Sequence, residues 1–98
     1  MKTPYFKSIY VAMQQLADIT KKCILTRNFQ RVEKCLSIAD RLMRTGNTRI
    51  KDAVANVFVY SVTLRLETLG REERERVFRL FPASLKAEYV HQIYSTGD

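Results

Sequence analysis

Val57-Phe58-Val59-Tyr60-Ser61-Val62-Thr63-Leu64 is the stretch on which the fold turns. It alternates and is rich in β-branched and aromatic side chains, so propensity taken alone favours a strand. A strand needs a partner, and no other stretch of the chain has strand character. Even an isolated two-stranded hairpin is marginal in water. The segment from Arg49 to Leu69 therefore predicts a helix. On a wheel of about 100° per residue it is apolar almost all round, with a narrow polar strip of Asp52, Asn56, Thr63 and Glu67. A helix that is apolar on most sides is a buried one. This third helix is expected at the centre of the molecule, with Val57 and Phe58 in the core.

Toward the N-terminus, Gly46 suits the left-handed residue that ends a helix, and Asn47 or Thr48 can cap the next one. Helices two and three should then form a tight hairpin. Helix two is predicted over about 29–45, capped by Asn28, with Phe29, Val32, Leu36, Ala39 and Met43 inward. Helix one is predicted over about 4–25, opened by Thr3-Pro4, with Ile9, Ala12, Met13, Leu16, Ile19, Cys23 and Ile24 inward. Toward the C-terminus, Gly70 ends the central helix, and Glu72 and Glu73 favour the positive end of the next. Helix four, about 71–80, is anchored by Val77, Phe78 and Leu80. Phe81-Pro82 breaks it, because a residue before proline avoids helical geometry. Helix five follows over about 83–94, with Leu85, Tyr89, Val90 and Ile93 inward, and the tail from Ser95 frays. No linker or fixed-period repeat divides the chain. The expected fold class is all-α: a compact bundle of four to five helices with a central buried third helix, in a single domain over residues 1–98.

Two stretches carry a resemblance: Val57-Phe58-Val59-Tyr60-Ser61-Val62 running on to Leu69-Gly70, and Leu80-Phe81-Pro82-Ala83-Ser84-Leu85-Lys86-Ala87-Glu88-Tyr89. The pattern resembles small uncharacterised bacterial all-helical domains. The resemblance covers the last three helices and extends toward the whole chain. It implies the helical fold and brings no functional residues with it. Tetratricopeptide repeats share paired helices with this chain, but the unequal helix lengths and missing small-residue spacing separate them.

The chain of 98 residues is 46% hydrophobic, which places it among globular domains and not among disordered tails. Its formal charge of +7 is unevenly placed. Residues 1–50 carry ten basic side chains against three acidic ones, while residues 51–98 carry seven of each. Such a surface keeps a small protein soluble, and it also suits an acidic partner, nucleic acid or an anionic surface. Gln14, Gln15 and Asp18 interrupt the apolar run that a signal peptide needs. The most apolar stretch, Ala53 to Leu64, is shorter than the roughly 20 residues that cross a bilayer. Cys23 and Cys35 fit no C-x-x-C pattern or disulfide framework and are expected to pack as small apolar side chains. A cytoplasmic protein with reduced thiols, away from the membrane, is the expectation.

Catalytic patterns are missing. The lone histidine, His91, has no imidazole or Cys/His cluster for zinc and no evident nucleophile to serve. No glycine-rich phosphate loop or nucleophile elbow occurs. Glu72, Glu73 and Glu75 alternate with Arg71, Arg74, Arg76 and Arg79, which reads as a salt-bridged exposed helix. A helix-turn-helix needs a small residue before the turn glycine and an apolar one after it. Gly46 is flanked there by Leu42 and Asp52, and Gly70 by Leu66 and Arg76. No catalytic residue, metal ligand or cofactor is assigned.

One surface remains. On helix two, Arg27, Arg31, Lys34 and Arg41 lie nearly opposite the apolar face, with Ile38 among them. An apolar anchor framed by arginines is what a protein-docking face presents. The bland reading is that Ile38 is covered by this chain or is one scattered surface side chain. The expected function is a non-enzymatic protein-interaction module whose partner is an unidentified protein or a second copy of itself, a homodimer. The alternative is a nucleic-acid or other anionic-partner binder that contacts phosphates without reading sequence.

Overall fold

The structure, a computed structural model, describes residues 5–95. Five helices occur among them: α1 (Tyr5–Leu25), α2 (Phe29–Thr45), α3 (48–67), α4 (Arg71–Leu80) and α5 (Ala83–Ser95). The fold is an all-α bundle, and the strand-like stretch 57–64 is helical throughout. The predicted Thr3-Pro4 helix start and the residues after Ser95 lie outside the described residues.

The central position of α3 follows from its composition. Ala53, Val54, Phe58, Val59, Val62 and Leu66 are buried, and α1, α2, α4 and α5 all pack against this helix. The rotation of its faces departs from the wheel. Asp52, Asn56, Tyr60 and Leu64 are exposed, Thr63 is buried and Val57 is partly covered. The cause is a π-helical stretch, Val54–Val59, set between α-helical Thr48–Ala53 and Tyr60–Glu67. In an unbroken α-helix, positions spaced by four drift about 40° at each step, so those four outward residues would spread over about 120°. The wider π turn absorbs that drift and holds them along one line. Tyr60 and Leu64 therefore face out, where the wheel placed only polar residues, and Thr63 turns into the core.

Cap chemistry accounts for the boundaries. Asn28 accepts from the Arg31 N–H at 3.3 Å and Asn47 accepts from the Ile50 N–H at 3.0 Å, each satisfying a first-turn donor. Gly46 is not left-handed as expected. Its backbone is extended, at φ −78° and ψ 165°. Glycine is required there for space, since a Cβ would sit 2.5 Å from Ile50 Cγ2 and 2.6 Å from the Leu42 carbonyl oxygen. The left-handed residue is Arg27, at φ 61°. It closes α1 in a Schellman arrangement: the Asn28 N–H donates to the Cys23 carbonyl at 2.8 Å and the Arg27 N–H to that of Ile24 at 3.1 Å. Gly70 serves as the residue before α4, not as a helix terminator.

The remaining inward faces follow their predicted periods in part. On α1, Met13, Cys23 and Ile24 are buried and Ile9 and Leu16 partly so, but Ala12 and Ile19 face outward and Ala17 and Thr20 take their place. The buried Thr20 hydroxyl is satisfied by donating to the Leu16 carbonyl at 2.8 Å. On α5, Leu85 and Tyr89 are buried while Val90 and Ile93 are exposed. Phe78, Phe81 and Tyr89 form an aromatic cluster, with ring centroids 5.0 to 5.9 Å apart. Burial, and secondarily the Glu67 carboxylate, push the Tyr89 phenol above its ordinary range against the opposing effect of Arg74. Cys23 and Cys35 are buried free thiols. No helix among the described residues is long and apolar enough to cross a membrane.

Candidate functional site

Helix α2 divides sharply. Val32, Cys35, Leu36 and Ala39 are buried, and Arg31, Lys34, Ile38 and Arg41 are exposed on the opposite face. The burial of the first set against the core is what fixes the second set toward solvent. From residue 31 to residue 41 the face runs about 15 Å along the helix axis. Ile38 is 51% exposed, so it is not covered by another part of the described chain. A shallow depression of about 450 Å³ lies beside it, lined by Gln30, Glu33, Lys34, Ser37 and Ile38. Arg31, Lys34 and Arg41 form no ion pair among the described residues, so their charge is uncommitted.

Arg27 does not belong to this group. Its guanidinium is turned toward α4, where Nε lies 3.0 Å from Glu73 Oε2 and Nη2 donates to Glu73 Oε1 at 3.0 Å. The Arg76 guanidinium stacks 5.2 Å from the Phe29 ring centroid and ties the same corner together. The geometry brings together four of the five residues singled out in the sequence and turns Arg27 away from them, into an exposed ion pair with Glu73.

A second concave feature was missed by sequence reasoning. Between α3 and α5 lies a cavity of about 680 Å³, within the size range of small-molecule sites. Tyr60, Leu64 and Ile93 give it apolar walls, and Glu67 and Glu88 place carboxylates at its edge. His91, which the sequence left without a role, lines it as well. Gln92 crosses the interface: Nε2 donates to the Ala55 carbonyl at 2.8 Å, inside the π stretch, and to Glu88 Oε2 at 3.0 Å. Gln92 Oε1 and the Thr63 hydroxyl are both buried and have no hydrogen-bond partner. The sequence carries no signal for this cavity, because its two walls come from helices that only packing brings together.

Among the described residues no group of three or more His, Cys, Asp or Glu side chains could hold a metal ion. Comparison with curated proteins and with solved structures finds no match. A family model described as a domain of unknown function, DUF7674, matches residues 2–95. That match spans every helix of the bundle and agrees with the resemblance to an uncharacterised small-domain family, and the chain belongs to the DUF7674 family.

Proposed function

We propose that the protein is a non-enzymatic interaction module that docks an acidic segment of a partner protein on the outward face of α2. The observation that carries this reading is the exposed Ile38 framed by the unpaired cations of Arg31, Lys34 and Arg41. An apolar anchor supplies burial, and surrounding cations select and steer a negatively charged partner. Lys34 and Arg41 each stand about one helical turn from Ile38, on opposite sides of it, so a carboxylate-bearing segment laid along the helix meets charge at both ends. The buried, reduced thiols of Cys23 and Cys35 support a cytoplasmic setting.

Nucleic acid is the competing partner, favoured by the excess positive charge of residues 1–50. The test is a titration with a labelled peptide of alternating Glu and Leu, beside a short DNA duplex, at low and near-physiological salt. The expected result is saturable peptide binding that Ile38→Glu abolishes while circular dichroism stays unchanged. Tighter binding of the duplex, with a steep salt slope and no dependence on Ile38, would replace this reading with phosphate contact.

A further inference from the structure

We propose that the cavity between α3 and α5 is a binding site for an organic ammonium ion that carries an apolar chain or ring. The site is separate from the α2 face and does not depend on it.

The cavity combines carboxylates with apolar walls. On a chain of net charge +7, its lining contains two carboxylates, Glu67 and Glu88, and no lysine or arginine. The local sign is the reverse of the protein's own. The polar groups with unused capacity point the same way. Gln92 spends both protons of its amide nitrogen on the Ala55 carbonyl and Glu88, which fixes the amide orientation and leaves Oε1 as a buried acceptor with no donor. Thr63, 9% exposed, also holds a buried hydroxyl without a partner. Thr20, the other buried threonine, satisfies its hydroxyl on the carbonyl four residues back. A buried polar atom left unpaired carries a desolvation cost, which a ligand recovers once a small side-chain rotation opens that atom to the cavity. Carboxylates and a stranded carbonyl oxygen call for a donor with positive charge.

The apolar walls define the rest of the ligand. Tyr60, 54% exposed, presents a ring whose face attracts an ammonium, and Leu64, 52% exposed, and Ile93 give surface for a hydrocarbon portion. The π stretch lies next to this site, and Ala55, whose carbonyl positions Gln92, is part of it. Such local widening of a helix is frequent at functional sites.

The probes are phenethylamine, with 2-phenylethanol, phenylacetate and ethylamine as controls, followed by backbone amide chemical shifts. Phenethylamine is expected to give saturable shifts at Tyr60, Leu64 and Gln92. It should bind about tenfold more tightly than 2-phenylethanol, the margin of one charge-assisted contact. Phenylacetate should not saturate, and ethylamine should bind more weakly for want of the apolar portion. Glu67→Gln combined with Glu88→Gln should weaken phenethylamine about tenfold with unchanged circular dichroism. Thr63→Val should keep the fold and weaken binding. Equal affinity for the alcohol would reduce the site to an apolar slot, and saturable binding of phenylacetate would reverse the charge assignment. Absence of saturable shifts overturns the proposal. So does a concentration-dependent shift of these residues without ligand, since a second copy would then occupy the cavity.

Discussion

The Ser84 hydroxyl donates to Asp40 Oδ1 at 2.5 Å, joining the start of α5 to the middle of α2 across 44 positions of sequence. Arg44 Nε reaches the other carboxylate oxygen at 3.0 Å. The Ser84 bond is the main influence holding the Asp40 carboxyl below its ordinary range; burial opposes it and Arg44 adds to it. A depressed folded value means that the stabilisation is fully present above the unfolded carboxyl value, about 3.9, and is lost as pH falls through the lower folded one. Ser84→Ala should cost about 1 kcal/mol at neutral pH. The difference from wild type should close in strongly acidic buffer. Urea unfolding of both proteins at the two pH values checks it, and a pH-independent difference would remove the linkage.

Phe58 is completely buried at the middle of α3. Phe58→Ala should cost about 3–5 kcal/mol, a large part of the stability of a domain this size. Phe58→Asp should abolish the cooperative melt, because an unpaired carboxylate cannot be accommodated in that core. A sharp thermal transition in the Asp variant would contradict the central placement of α3.

The two described glycines answer differently to a side chain. Gly46→Ala is expected to destabilise by about 2 kcal/mol, because the new Cβ runs into Ile50 and the Leu42 carbonyl. Gly70 has nothing within 4 Å of such an atom and lies at φ −65°, ψ 164° with no side-chain cap. Gly70→Ser should stabilise by about 0.5 kcal/mol, through a new cap to α4 and a less flexible unfolded chain. Denaturant midpoints of the pair measure both signs in one experiment.

Arg27 makes a separate test of where the docking face ends. Its left-handed backbone is costly for a residue with a Cβ, and its ion pair with Glu73 is exposed and of small value. Arg27→Gly should raise stability by about 0.5 kcal/mol and leave peptide binding unchanged, whereas Arg31→Glu should weaken it. Equal losses from both would return Arg27 to the site.

The parts of the fold that were legible in the sequence are those set by local chemistry. Asn28 and Asn47 mark helix starts by capping, Pro82 ends α4 by keeping Phe81 out of helical geometry, and all three do so in the structure. What the sequence concealed was rotational phase. A wheel assumes one repeat, and the π stretch at Val54–Val59 changes it, so Tyr60, Leu64 and Thr63 exchanged the sides expected of them. Ile19 and Val90 sit outward for a different reason: an apolar stripe wider than the contact it serves leaves its edges in water. The left-handed turn fell on Arg27 instead of Gly46 because two bonds to the end of α1 hold it there, which residue type alone does not reveal. The α2 face was legible because it belongs to one regular helix. The α3–α5 cavity was not, since its two walls are brought together by packing.

The α2 face is the proposed seat of the partner. The direct measurement is the backbone amide spectrum of the full chain during titration with the acidic Glu/Leu peptide. Saturable shifts are expected at Arg31, Lys34, Ile38 and Arg41, with Tyr60, Leu64 and His91 unmoved. Shifts centred on the α3–α5 cavity, or spread over the basic side chains of every helix without saturation, would contradict it.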